Sequence, residues 1–212
     1  MAVTLTTPNT LLEAIEPKGA SARFATKLLV VVLGTALLWA SAKFKIPLPP
    51  VPFTMQTLVV ALIAASVGSR LGVATVALYL IEGLVGLPVF ANGGGWAYVM
   101  SPTFGFLIGY LPMSYVIGRM ADRGVAGNVA LLFATMVIGD AIAFVFGFGW
   151  LMVIANSILA SGGELPKWLQ GGNLLQVAFD GAVRPFILWD LLKMAFAAMT
   201  VSGAWAIFRR RQ

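Results

Sequence analysis

The sequence predicts an all-α integral membrane protein, a bundle of six transmembrane helices with both termini cytoplasmic. Three observations carry this. Of 212 residues 59% are hydrophobic, the mean hydropathy is +0.92 and only 10% are charged, against about 25% in an ordinary soluble domain. The apolar residues fall in blocks long enough to span a bilayer. The basic residues sort to one side of the spans those blocks define.

A spanning helix needs about 20 mostly apolar residues, somewhat fewer where flanking side chains reach the headgroups. Residues 1–22 carry Glu13, Glu16 and Lys18 and no apolar h-region, so they read as a cytoplasmic N-terminal segment rather than a cleavable signal. Pro8 to Glu16 could form a short surface helix, and residues 23–212 form the membrane domain. Helices are expected near 25–42, 54–69, 71–87, 103–120, 125–150 and 181–208. Pro47, Pro49, Pro50 and Pro52 place a loop between the first two, because proline lacks the N–H and biases its predecessor away from helix.

Six helices put both termini on one side. Nine basic residues then share that side: Lys18, Arg23, Lys27, Arg70, Arg119, Arg123, Arg209, Arg210 and Arg211. Three, Lys43, Lys45 and Lys167, lie opposite. This split is the one expected for cytoplasmic termini in the cytoplasmic membrane, and Arg209 to Arg211 read as an anchor facing anionic lipid headgroups. The net charge of +6 and pI of about 10 therefore point to membrane lipid and not to nucleic acid. The loops 43–53, 88–102 and 151–180 face outward.

There is no His and no Cys. Imidazole bases, thiol nucleophiles, His/Cys metal ligation and disulfides are excluded together. No G-x-x-x-x-G-K-[ST] occurs, so the chain has no Walker-type nucleotide site, and no cofactor or metal is expected. Within the spans sit Glu82, Asp140, Asp190 and Lys193, with Asp180 and Arg184 near an outer boundary. Each charge costs about 2.5–3.5 kcal/mol at the bilayer centre on insertion scales, which makes it a functional candidate. Asp190 and Lys193, at i and i+3, share one helical face. They either bind a ligand or only neutralise each other between helices. Trp150 and Trp168 read as interface-belt residues. Ala36/Ala40 and Gly105/Gly109 have small-xxx-small spacing, which serves close packing inside the bundle or docking of another membrane protein.

Val51-Pro52-Phe53-Thr54-Met55-Gln56-Thr57-Leu58, Gly68-Ser69-Arg70-Leu71-Gly72, Leu78-Tyr79-Leu80 and Gly86-Leu87-Pro88-Val89-Phe90 occur in that order. Pro102-Thr103-x-Gly105, Gly109-Tyr110, Pro185-Phe186 and Asp190-x-x-Lys193 follow. Together these resemble the BioY biotin transporters, substrate-binding membrane subunits (S components) of energy-coupling factor transporters, over about residues 25–200. The chain departs from the family at Ser101, Phe104 and Phe106 around the Pro-Thr motif, and at Leu188 and Trp189 before the Asp.

The resemblance implies a non-enzymatic uptake protein that captures biotin outside and releases it inward. A transmembrane coupling subunit and two cytoplasmic ATPases would energise it. It also implies Asn92, Asp190 and Lys193 around the ligand, Gln56, Tyr79 and Tyr98 as further wall positions, and Ala36 and Ala40 as the docking surface. An acceptor such as Asp190 suits the ureido N–H groups, and a donor such as Asn92 or Lys193 suits the ureido carbonyl. Gln56, Lys43, Lys45 and Arg184 are open alternatives for the carboxylate. Rival readings are an S component for riboflavin or thiamine, an intramembrane enzyme using Asp140 and Asp190, and a channel; the last two lack a nucleophile constellation and a charge ring.

Overall fold

The structure, a computed structural model, describes residues 9–48 and 51–209. Its helices are α1 (Leu11–Ile15), α2 (Ala20–Lys43), α3 (Gln56–Val67), α4 (Ser69–Leu84), α5 (Phe104–Ala121), α6 (Val129–Ala160), α7 (Leu174–Ala182) and α8 (Ile187–Arg209). A small antiparallel hairpin, β1 (Lys45–Ile46) with β2 (Phe53–Thr54), joins α2 to α3. Pro8, Pro49, Pro50, Arg210 and Arg211 lie outside the described residues, so the proposed arginine anchor rests there in the main.

The helices α2 to α6 and α8 overlie the six expected stretches, with ends displaced for local reasons. α4 ends at Leu84 because Gly86 takes φ +110°, a conformation costly for other residues, and Pro88 follows. α6 runs ten residues past the expected 150. Bilayer thickness alone sets a stop near 150, whereas the helix continues to Ala160 and the chain turns at Gly162, at φ +75°. The outward segment 151–180 is accordingly not all loop: it holds the end of α6 and most of α7. α8 begins at Ile187 and not at 181, because Pro185 interrupts the chain between α7 and α8. Asp190 therefore sits in the first turn of α8, where unpaired backbone N–H groups favour a carboxylate.

α1 is held by a capping box in which the Thr10 hydroxyl accepts from the Glu13 N–H and the Glu13 carboxylate accepts from the Thr10 N–H. Leu12 is buried, and Glu16 pairs with Lys27 of α2 at 3.0 Å. One end of the bundle is thus closed by α1, and the other carries the hairpin, the 88–102 loop and α7.

α2, α6 and Ile187–Phe208 of α8 are each long and apolar enough to cross a membrane alone. Their outer faces expose Leu29, Leu33 and Leu37, then Ile138 and Val145, then Leu192 and Phe196. Contiguous apolar surface of this kind is stable in lipid and not in water. The inner faces are small and close-packed. A Cβ on Gly109 would lie 2.8 Å from the Ala143 Cα, and one on Gly105 would collide with Trp150. The Gly105/Gly109 pattern is therefore spent on the α5–α6 crossing and offers no surface to a second protein. Ala36 and Ala40 face outward on α2. Trp150 is no simple belt residue: its indole N–H donates to the Ser101 carbonyl at 3.2 Å and its ring packs edge-on against Phe104.

Candidate functional site

At the hairpin end, α3, α5, α6 and α8 diverge around a cavity with about 500 Å³ of empty space, its mouth included. The wall is apolar and aromatic, with Val51, Leu107, Phe106, Phe144 and Phe186 among its members, and into it project a few polar groups.

The deepest charge cluster is on α8. Asp190 is 2% exposed and Lys193 8%, and their side chains meet at 2.8 Å. The Lys193 ammonium also donates to the Thr54 carbonyl at 2.7 Å and to the Thr57 hydroxyl at 3.3 Å, and stands 4.0 Å from the centre of the Phe53 ring. The Thr57 hydroxyl donates to Asp190 Oδ1 at 2.6 Å. Buried charges persist only when paired and hydrogen-bonded, and here Oδ1 takes both bonds, which leaves Oδ2 of a cavity-lining carboxylate as the acceptor for a ligand. Because Lys193 grips the carbonyl of Thr54, the cluster also fastens the β-hairpin over the cavity.

Gln56 lines the cavity from the first turn of α3, and its amide donates to the Tyr79 hydroxyl at 2.9 Å, which donates in turn to the Val89 carbonyl at 3.0 Å. Tyr79 is fully buried behind the wall; it holds Gln56 rather than lining the cavity. Tyr98 does line it, and its hydroxyl accepts from Thr103 at 3.1 Å. Burial pushes the Tyr98 phenol above its ordinary value, so it keeps its proton.

Of the expected site residues, then, Asp190, Lys193, Gln56 and Tyr98 converge on the cavity. Asn92 does not: it is exposed, its carbonyl accepting from Lys45 at 2.7 Å, and only its neighbour Ala91 reaches the wall. Lys45 also donates to the Ala91 carbonyl, and Lys43 donates to those of Pro88 and Phe90 at 2.7 and 2.9 Å. Both lysines are committed to holding the 88–92 loop. Arg184 pairs with Asp180 on the surface. Of the four alternatives for a ligand carboxylate, Gln56 alone lines the cavity. Glu82 accepts from Thr35 at the α2–α4 contact and lies off the cavity wall.

Thr57, Thr103, Tyr110 and the three wall phenylalanines were not expected as site residues. The signal available for Thr57 is two consecutive polar side chains, Gln56 and Thr57, opening a helix whose next polar residue is Ser66.

A lipid-embedded helical bundle with one buried acid–base pair in the wall of an open, largely apolar cavity defines a membrane protein that binds a small polar-headed molecule. The sequence matches the BioY family over residues 12–210, and the chain belongs to that family. It is 40% identical over 129 residues to a probable biotin transporter BioY of Lysinibacillus sphaericus, covering 61% of this chain and 66% of that protein. It is 35% identical over 166 residues to the biotin transporter BioY of Thermotoga maritima, covering 78% and 87%. Its fold is shared with the crystal structure of an S-component for biotin from an ECF-type ABC transporter, at a TM-score of 0.71 and 21% identity, covering 92% of this chain and 95% of that one.

Proposed function

We propose that this protein is the substrate-binding subunit of a biotin uptake system, taking biotin from the outer side and releasing it inward. The observation that carries this is the Asp190–Lys193–Thr57 cluster, buried in the wall of a largely apolar cavity. Biotin offers a ureido head with two N–H donors and a carbonyl, a thiophane ring and a valerate. The carboxylate of Asp190 and the ammonium of Lys193 complement the head, and Phe106, Phe144 and Phe186 complement the ring. Leaving any of these polar groups unpaired costs about 1–3 kcal/mol, which selects against analogues lacking the ureido. Gln56 is the candidate for the carboxylate. Asn92 would join the site only if the 88–92 loop moved inward.

Six crossings with cytoplasmic termini agree with the nine-to-three division of basic residues, and place the cavity on the outer side. A coupling subunit and two ATPases would supply the energy, since this chain has no nucleotide motif. Ala36 and Ala40, flanked by exposed Leu33 and Leu37 on α2, would admit a partner helix to close approach. Ala36→Leu with Ala40→Leu is expected to abolish co-purification of a coupling module while sparing biotin binding; an intact complex from that double variant refutes the docking surface.

Calorimetric titration of the purified, ligand-free protein with biotin tests the function. Saturable heat that riboflavin and thiamine do not abolish by competition supports it, and silence toward biotin with heat from another vitamin replaces it. Thr57→Val keeps the side-chain shape and removes the donor to Asp190. A hydrogen bond to a charged group contributes about 1.5–3 kcal/mol, so affinity should fall about tenfold or more in the same titration.

A further inference from the structure

Of the four ionisable residues expected within the spans, Glu82 accepts from Thr35 and Asp190 and Lys193 form the site, which leaves Asp140. It is buried at 7% exposure on α6, and no group among the described residues is hydrogen-bonded to its Oδ1. It precedes the cavity-lining Phe144 by four residues, hence lies one turn of about 5.4 Å further in, on the same helical face. It sits beneath the cavity floor. Its neighbours Gly139 and Ala143 are taken up by the α5 crossing, against Ile117 and Gly109.

The titratable and charged groups that face it are few. α8, packed on α6, presents Asp190 and Lys193, and α5 presents Tyr110, the innermost of the α5 residues lining the cavity. The turn at Val125–Gly127 presents none. α7 packs on the far end of α6 and presents Asp180, which is paired on the surface with Arg184.

A buried carboxyl without a partner is tolerable in two states: neutral, or ionised with a cation drawn toward it. Among the described residues, the ammonium on an element packed against α6 is that of Lys193, already bound to Asp190 at 2.8 Å. An ionised Asp140 would compete with Asp190 for that charge and loosen the cluster on which the ligand sits. It would also add negative charge beneath a site whose ligand is itself an anion.

We propose that Asp140 is a proton-binding site linked to ligand occupancy: its carboxyl holds one proton when the ligand is engaged by Asp190 and Lys193, and gives that proton up to solvent when the ligand leaves. The inference rests on the biotin reading for its ligand. It makes each capture event carry a proton as well as a vitamin, and gives the inward release step a second ligand on which to act.

The test is calorimetry of the whole protein in detergent, titrating biotin between about pH 6 and 9 in pairs of buffers with different ionisation enthalpies. Between the titration of the free protein and that of the complex, one proton taken up per ligand lowers the association constant about tenfold per pH unit. The wild type should show that slope and a net uptake approaching one proton from the buffer. Asp140→Asn, which reproduces the neutral acid in size and polarity, should bind with a flat profile and no buffer dependence. If this variant binds with the wild-type slope, another group is responsible and the proposal is overturned. Wild type that binds biotin with a flat profile overturns the proton site and leaves the biotin reading standing; wild type that binds no biotin at any pH overturns both. The wild-type arm decides by itself should the variant fail to fold.

Discussion

Lys193→Ala is expected to weaken biotin binding about a hundredfold, and Asp190→Asn by at least tenfold, about 2.7 and 1.4 kcal/mol. The difference between them comes from what each substitution leaves behind. Without Lys193, the buried Asp190 carboxylate keeps only the Thr57 hydroxyl, and the Thr54 carbonyl loses its donor. Breaking a buried pair from one side costs about 3–5 kcal/mol because a charge is stranded, and part of that appears as lost affinity because the stranded charge shapes the ligand site. The hairpin carrying Thr54 and Phe53 also loses its fastening to α8. Asp190→Asn preserves the side-chain outline and still offers an oxygen to Lys193. What it loses is the counter-charge, and its amide N–H would point donor against donor at a ureido N–H. Asp190→Asn with Lys193→Ala should cost clearly less than the sum of the two, since residues in one network couple by about 0.5–3 kcal/mol. Isothermal titration of the three variants, with melting curves to show that each is folded, checks this. A Lys193→Ala protein that binds within about threefold of wild type refutes the site.

That this pair would matter was legible in the sequence, and the reason is energetic. A charge inside a membrane helix is too costly to be incidental, so four charged residues on three spans give a short roster from which Asp190 and Lys193 emerge by their shared helical face. The helices were legible for the same reason, since lipid demands long apolar runs. What escaped was set by tertiary contact. Nothing in the order of residues says that Lys43 and Lys45 would turn their ammonium groups to the carbonyls of residues 88 to 91, leaving Gln56 alone among the carboxylate candidates. Nor does it say that Asn92 would be turned out by Lys45 while Thr57 was turned in. Bilayer thickness does not mark the end of α6: its 32 residues make a helix of about 48 Å, longer than the roughly 30 Å hydrocarbon core. Its excess serves to build the cavity end, where Leu151 and Ala155 pack with Leu169 and Ala178.

The α5–α6 crossing on which the cavity floor rests should be as sensitive as the site itself. Lipid provides no hydrophobic drive for two helices to associate, so their affinity comes from backbone approach and close packing. A Cβ at Gly109 would meet the Ala143 Cα at 2.8 Å and its carbonyl oxygen at 3.0 Å. Backbone atoms of a packed helix cannot swing aside as a side-chain tip can, so Gly109→Leu must push the helices apart. Overpacking costs typically about 1–3 kcal/mol, and at about 2–4 °C per kcal/mol for a chain of this size the upper end lowers the melting midpoint by about 6–12 °C. Separation of α5 from α6 would also widen the gap between Leu107 and Phe144, opposite walls of the cavity, so ligand affinity should fall with stability. Gly149→Leu is the control on the same pair of helices. Nothing lies within 4 Å of a Cβ there and the position is exposed on the apolar exterior, where leucine is at home in lipid, so its midpoint should stay within about 2 °C of wild type on the same scale. Thermal unfolding of both variants in detergent, followed by intrinsic tryptophan fluorescence, reads the contrast directly. Equal midpoints for the two would mean that the crossing is looser than its glycines require.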